Sequence, residues 1–235
     1  MKNEPVRTDI YKMFDRIAGR YDILNKILSF GMVGRWHKRL IKRLPPQKDM
    51  SILDLATGSS DVLISLLTIR GDISQAVGLD MSEQMLILAE KKLARHDLTG
   101  KVRLIRADAA QIPCPDSSFD TVTMAFGIRN MVDVPGVLRE MRRVLKPNGR
   151  VLILEFSRPK NRMLNFLYMS YLRNVLPLVG GIISGNYSAY RYLNRTIETF
   201  PAGEDFCRLM RDAGFEKTEA EPITFGTVCL YTASK

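Results

Sequence analysis

The stretch ILDLATGSSDV, Ile52 to Val62, decides the fold. A short apolar run ends on an acidic residue, passes through a turn of small residues and opens the first turn of a helix. A strand that feeds a helix through such a bend is the loop with which a Rossmann-type sheet receives a nucleotide-bearing ligand. The dinucleotide fingerprint G-x-G-x-x-G is not met: from Gly58 the chain reads G-S-S-D-V-L, without the second and third glycines. No G-K-[ST] follows, so the bend is not a P-loop. Asp61 sets negative charge beside it, an unfavourable neighbour for phosphates. The bend predicts a ligand without phosphates.

Outward from this stretch, strand-like and helix-like segments alternate. SILDLA precedes DVLISLLTIR, and QAVGLD precedes SEQMLILAEKKLARH, a helix capped by Ser82. KVRLIRAD and FDTVTMAF read as the third and fourth strands. VPGVLREMRRVL reads as a helix ended by Pro147-Asn148-Gly149, and RVLILEF as the fifth strand. This alternation predicts an α/β fold, a mostly parallel sheet with helices on both faces. A helix in AGEDFCRLMRDAGF and two closing strands, EKTEAEPI and TVCLYTAS, complete a seven-stranded sheet, the last two expected to pair as an antiparallel hairpin at the edge. The expected organisation is one domain. Residues 1–48 form an N-terminal helical cap, 49–157 the cofactor-binding core, 158–202 an insertion capping the substrate, and 203–235 the C-terminal helix and edge strands.

Acids at the strand ends narrow the ligand. Asp80 closes the second strand, 22 positions beyond Gly58, where an acid grips ribose hydroxyls in this architecture. Asp108 closes the third and is followed by Ala109; a carboxylate there is able to accept a hydrogen bond from an adenine amino group. A nucleoside with a cationic, phosphate-free tail meets these acids, and S-adenosylmethionine has that chemistry. The plainer reading, that strand-terminal aspartates cap the next helix, holds for any one of them. It is weakened by acids at successive strand ends in the right order.

Composition limits the remaining classes. The 235 residues are 46% hydrophobic, enough to bury a substantial core. MKNEPVRTDIYKMFD lacks the apolar stretch of a secretory signal, and three distant cysteines suit a reducing, cytoplasmic setting. With only His37 and His96, no cluster has the spacing of a zinc site, so no metal is expected. The net charge of +10 fits nucleic acid, anionic membrane surfaces or acidic ligands alike. Met163 to Ile183 is membrane-like, but Arg173 lies near its centre, where a charge costs roughly 2.5–3.5 kcal/mol. A helical cap with an apolar face is expected instead. RWHKRLIKRL sets Trp36, Leu40, Ile41 and Leu44 on one face amid five basic residues. That pattern suits an interfacial helix on an anionic bilayer, or an ordinary amphipathic helix packed on the sheet.

Four further stretches carry a resemblance: YDILNKILSFG (Tyr21 to Gly31), FGIRN (Phe126 to Asn130), RVLKPNGRVLILEFS (Arg143 to Ser157) and YLNRTIETFP (Tyr192 to Pro201). Together, and in this order, they resemble the ubiquinone/menaquinone biosynthesis C-methyltransferase family, class I S-adenosylmethionine-dependent methyltransferases. The likeness runs from MFDRIAGRYD onward. It implies S-adenosylmethionine held by Gly58, Ser59, Asp80, Asp108 and Ala109. It also implies methylation of a ring carbon in a polyprenylated quinol, demethylmenaquinol or a polyprenyl methoxy-benzoquinol. Three positions depart from the family pattern. Ser60 stands where glycine or alanine is usual, Val33 replaces a histidine, and Asn148 replaces a turn glycine, a small change because asparagine tolerates left-handed geometry.

Carbon methylation needs an electron-rich ring, and a phenol has an ordinary pKa near 10. On this reading Arg129, after the fourth strand, stabilises the anion and orients water, because guanidinium stays charged. Asn130 holds the ring oxygen or a bridging water, and Tyr21 hydrogen-bonds the other ring oxygen. The plainer alternatives are a surface ion pair for Arg129 and packing for Tyr21. A greasy substrate also predicts peripheral contact with an anionic membrane surface. Nucleic acid is not expected as a partner. FGIRN occupies the place of the Asn/Asp-Pro-Pro-aromatic motif of base-amino methyltransferases, Pro113-Cys114 lies before the fourth strand, and no aromatic-interleaved basic stripe stands out. A non-catalytic cofactor- or membrane-binding module is the other rival, and the oligomeric state is open.

Overall fold

Seven strands join in one sheet in the computed structural model, which describes residues 11–12, 15, 29, 31–178 and 187–235. The strands are β1 (Met50–Leu55), β2 (Ile73–Asp80), β3 (Val102–Arg106), β4 (Phe119–Ala125), β5 (Leu145–Phe156), β6 (Glu216–Ile223) and β7 (Val228–Ser234). Their order is β3-β2-β1-β4-β5-β7-β6, with β1 to β5 parallel and β7 antiparallel to both of its neighbours. The closing strands do form the expected hairpin; β7 lies inside the sheet and β6 takes the edge. The chain turns from β1 outward to β3 and then crosses back to β4, so the order reverses between β1 and β4. Ligands of open α/β sheets bind at the carboxyl ends of the strands beside that reversal.

β1 is buried along its whole length, as a central strand covered on both faces must be. Its two polar side chains are satisfied. Ser51 Oγ donates to Asp120 Oδ2 at 2.6 Å, and Asp54 accepts from the hydroxyls of Thr57 (2.7 Å) and Thr123 (2.6 Å). On one face pack the helices α4 (Val134–Val144) and α7 (Glu204–Asp212), through Leu138, Met141, Phe206 and Met210. On the other pack α1 (Val33–Ile41) and α2 (Asp61–Ile69), through Trp36, Leu40, Leu63 and Leu66. α3 (Glu83–Arg95) starts at Ser82, whose Oγ accepts from Met85 N at 3.2 Å, the expected cap. Beyond β5 lie α5 (Arg162–Ser170), a π-helical turn at Tyr171–Val175, and α6 (Tyr187–Thr199).

One sequence reading is corrected, and one pair of alternatives is decided in favour of the sheet. α4 stops at Val144, and Leu145 already pairs with Phe119; residues 146–149 bulge from β5, with Asn148 at φ 63° in the left-handed conformation. The helix within Arg35–Leu44 does not present its apolar face to lipid. Trp36, Leu40, Ile41 and Leu44 are buried against β1, β5 and β7, because an exposed sheet face demands a cover. Two of its three arginines are also engaged: Arg39 and Arg43 pair with Glu221, and Arg43 with Glu219, on the edge strand β6. Arg35, Lys38, Arg39 and Lys42 are exposed along its rim, Arg39 while paired. Among the described residues no helix is long and apolar enough to cross a membrane.

Candidate active site

At the carboxyl ends of β1 to β4 lies a cleft of ≈ 450 Å³. Of the residues expected to hold a cofactor, Gly58, Asp80, Asp108 and Ala109 line it, and so does Asn130. The bend after β1 folds tightly because Ala56, Gly58 and Ser60 adopt φ of 49°, 54° and 62° and Ser60 N donates to Thr57 O at 2.8 Å. β4 presses on this bend. A side chain on Gly127 would put its Cβ 2.7 Å from that of Ala56, so only glycine fits.

Asp80 organises the floor. Its Oδ2 accepts the Gly58 N–H at 2.8 Å and its Oδ1 the Ser82 N–H at 2.9 Å. Burial raises its pKa, the amides of Ser82, Gly58 and Met81 pull it down, and Asp15 raises it further, with a net upward shift. The amide that a phosphate would use is therefore already bound to a carboxylate. Asp108 likewise accepts the Ala110 N–H, at 2.9 Å. The described lining holds three carboxylates, Asp80, Asp108 and Asp133, and no lysine, arginine or histidine. A site of that charge favours a cation and repels a pyrophosphate.

Ser59 is not brought to the cleft. Buried behind the bend, its Oγ donates to Asp61 Oδ2 at 3.0 Å and accepts from Lys92 Nζ at 2.9 Å. Lys92 also pairs with Asp61 at 2.8 Å. Asp61 thus has its charge compensated on the far side, and it is Asp80 that disfavours phosphate.

Arg129 and Asn130 sit on a 3-10 turn, Ile128–Asn130, directly after β4. Arg129 is 5% exposed and does not line the cleft. Its Nη1 donates to Glu155 Oε1 at 2.5 Å and to Phe126 O at 2.7 Å, and its guanidinium lies 5.2 Å over the Phe156 ring. The ion pair that the plainer reading foresaw exists, but it is buried rather than on the surface. Glu155 is fully buried; desolvation raises its pKa, against which Arg129 and two backbone amides pull it down, with a net upward shift. Tyr168 of α5 lies in the same field, its pKa raised chiefly by burial and moderated by Arg129. Asn130 Nδ2 reaches Phe126 O at 3.4 Å, which turns Oδ1 the other way. Arg129 Nε and Asn130 Oδ1 are buried without a hydrogen-bond partner among the described residues. A donor and an acceptor, nearly desolvated, stand on one turn beside the cleft. Tyr21 lies outside the described residues.

The chain matches the ubiE/COQ5 methyltransferase family over residues 2–235. It belongs to that family. Among its relatives, the ubiquinone/menaquinone biosynthesis C-methyltransferase UbiE of Geobacter sulfurreducens is 42% identical over 226 residues, covering 96% of this chain and 88% of the relative. The demethylmenaquinone methyltransferase of Thermus thermophilus is 42% identical over 223 residues, covering 95% and 100%. Solved structures share the fold. A putative methyltransferase in complex with the Haloferax volcanii activator Trm112 matches with a TM-score of 0.68 at 21% identity over 94% of this chain and 96% of that one. The [4+2]-cyclase SpnF matches with a TM-score of 0.67 at 16% identity over 98% and 96%. A cyclase on the same fold shows that the sheet alone does not fix the reaction.

This family member is an S-adenosylmethionine-dependent methyltransferase, and its cleft fits that cofactor: acids at the strand ends, no cation in the described lining, and a Gly58 amide closed to phosphate. When bound, the cofactor supplies a methyl group on a positively charged sulfur. Tyr11, Met131, Val132 and Asp133 also line the cleft and were not singled out from the sequence. Asp133 had a readable signal, an aspartate before Val-Pro-Gly, where it caps α4 by accepting the Gly136 N–H at 2.9 Å.

Proposed function

We propose that this methyltransferase methylates a ring carbon of a polyprenylated quinol, demethylmenaquinol first and the polyprenyl methoxy-benzoquinol of ubiquinone synthesis second. The observation that carries this reading is the buried donor-acceptor pair, Arg129 Nε and Asn130 Oδ1, beside an acid-lined cleft. The names of the relatives supply the substrate class.

In this reading Gly58, Asp80, Asp108 and Ala109 hold the nucleoside, with Ser59 supporting the bend from behind through Asp61 and Lys92. Asn130 Oδ1 accepts a hydrogen bond from one ring hydroxyl and, as its proton passes to water, Arg129 Nε–H donates to the oxygen left negative. The ring carbon takes the methyl from the sulfonium and then gives up its own proton to water. Glu155 keeps the guanidinium oriented, and Tyr21 holds the second ring oxygen. Residues 1–48 and 158–202 cap the core and cover the ring. The tail keeps the substrate in lipid, so the protein works in peripheral contact with an anionic membrane surface, on its cytoplasmic face.

The test is methyl transfer from isotopically labelled cofactor into a panel of reduced quinones, with products located by mass. Label on a ring carbon of demethylmenaquinol supports the reading. Label on oxygen or nitrogen, or in RNA alone, removes it.

A further inference from the structure

Three consecutive residues at the β6–β7 turn adopt left-handed φ: Thr224 (50°), Phe225 (58°) and Gly226 (88°). For glycine this is free; for threonine and phenylalanine it is strained. The turn is nevertheless firmly fixed. Trp36 Nε1 donates to Thr224 Oγ1 at 2.7 Å, and Thr227 N and Oγ1 both donate to Thr224 O, at 3.1 and 2.9 Å. What this rigid, strained tip displays is a phenyl ring that is 85% exposed, the most exposed large apolar side chain described. Packing does not explain it.

The tip lies at the carboxyl end of the sheet, the rim on which the cleft opens. Ser157 N donates to Thr227 O at 2.9 Å, and a Cβ on Gly226 would come 3.3 Å from Pro159 Cα. From Pro159 the chain runs directly into α5, capped by Asn161. α5 buries Met169 beside Leu172 and Leu176, and turns Met163 (68%), Phe166 (72%) and Leu167 (57%) to solvent at i, i+3, i+4 spacing. Val175 and Leu178 continue the exposed apolar surface. The charge along it is mostly basic, with Glu198 pairing with Arg173 and lying in the field of Arg158. From Phe156 to Ile197 the chain carries six basic residues and no acidic one, and Arg158, Lys160 and Arg162 are exposed beside the tip and the helix start.

We infer that Phe225 and the outer face of α5 form a two-point docking surface for an anionic bilayer, with Arg158, Lys160 and Arg162 meeting the headgroups. This deepens the proposed function, since a tail-bearing quinol must leave the bilayer on the side where the cleft opens. It also assigns the contact to α5 and the β6–β7 turn in place of α1, whose apolar face is spent on the sheet. Aromatic and apolar side chains flanked by cations are the composition that interfacial segments use.

The test is co-sedimentation of the full chain with vesicles of phosphatidylcholine, with and without phosphatidylglycerol, for wild type, F225G, F166S and K160Q. Wild type is expected to bind the anionic vesicles and lose them at high salt. F225G and F166S are each expected to weaken binding at least about fivefold, and K160Q about fivefold on anionic vesicles only, the equivalent of one basic contact. Thermal melts guard against misfolding, and F225G should melt no lower than wild type because it relieves the left-handed strain. Methyl transfer to a short-tailed, water-soluble quinol without vesicles should be unchanged in F225G, which lies outside the segments that cover the ring. Equal binding by variants and wild type, or equal binding to neutral and anionic vesicles, overturns the docking surface. A change in oligomeric state without loss of vesicle binding also overturns it, by assigning the face to a second copy. Vesicle binding as expected with no quinol methylated by wild type would leave docking standing and remove the quinol reading instead.

Discussion

Arg129 and Glu155 meet at 2.5 Å in the interior, the carboxylate fully buried at the end of β5 and the guanidinium 5% exposed on the turn after β4. Removing one partner of such a pair leaves an unpaired buried charge, at a cost of about 3–5 kcal/mol. Here the pair commits Nη1 twice, while Nε is buried without a hydrogen-bond partner among the described residues.

Replacement of Arg129 by alanine is expected to lower turnover at least about 100-fold, the scale of a lost oxyanion donor. Cofactor affinity should change little, because Arg129 does not line the cleft. Calorimetry with S-adenosylmethionine and single-turnover kinetics separate the two. Retained turnover would take Arg129 out of the mechanism. E155Q should lower turnover with a smaller loss of folding stability than E155A, since the amide can still accept from Nη1.

Asp80→Asn addresses the nucleoside. It removes the acceptor charge that orders the Gly58 and Ser82 amides, and should weaken cofactor binding by about 1.5–3 kcal/mol, the range for a hydrogen bond to a charged group. Turnover at saturating cofactor should survive. Because burial raises the Asp80 pKa, affinity for a cationic ligand should fall on acidification above the usual carboxylate range. A Kd that stays unchanged as pH falls toward the usual carboxylate range, measured by calorimetry, would contradict this.

Asp54, wholly buried under two threonine hydroxyls, has its pKa raised by desolvation from 3.8 to about 7. Its folded pKa exceeds its unfolded one, so the folded state binds more protons in between. Stability is therefore lost as pH rises from about 4 to about 7, by up to about 4 kcal/mol from this group. D54N should abolish that slope. Equal pH dependence of denaturant midpoints in variant and wild type would show that Asp54 titrates normally.

Ser60 is fully buried at φ 62°, strain that glycine would relieve by about 1 kcal/mol. S60G should raise the melting temperature by about 2–4 °C. An unchanged or lower value would mean that its hydroxyl, 3.4 Å from that of Thr57, contributes more than the strain costs.

The strands were legible because buried parallel strands read as short apolar runs, and β1, β2 and β4 fall within two residues of their expected limits. The end of α4 was not, since Pro147-Asn148-Gly149 marks a bulge in a strand as readily as a helix stop. Asp80 and Asp108 were readable from their strand-end positions. Ser59 was not, because its orientation is set by Lys92, 33 residues further on. Glu155 was hidden for the same reason: β5 brings it beneath Arg129 through the sheet, and no local pattern announces the pair. In α1 the amphipathic pattern was read correctly, but periodicity does not say whether a sheet or a bilayer covers the apolar face.

Calorimetric titration of the full chain with S-adenosylmethionine and, in parallel, with an oxidised nicotinamide dinucleotide tests the acid-lined cleft most directly. One saturable site for the sulfonium nucleoside, weakened by D80N, with no heat from the dinucleotide, is the expected result. Preferential binding of the pyrophosphate-bearing ligand would contradict it.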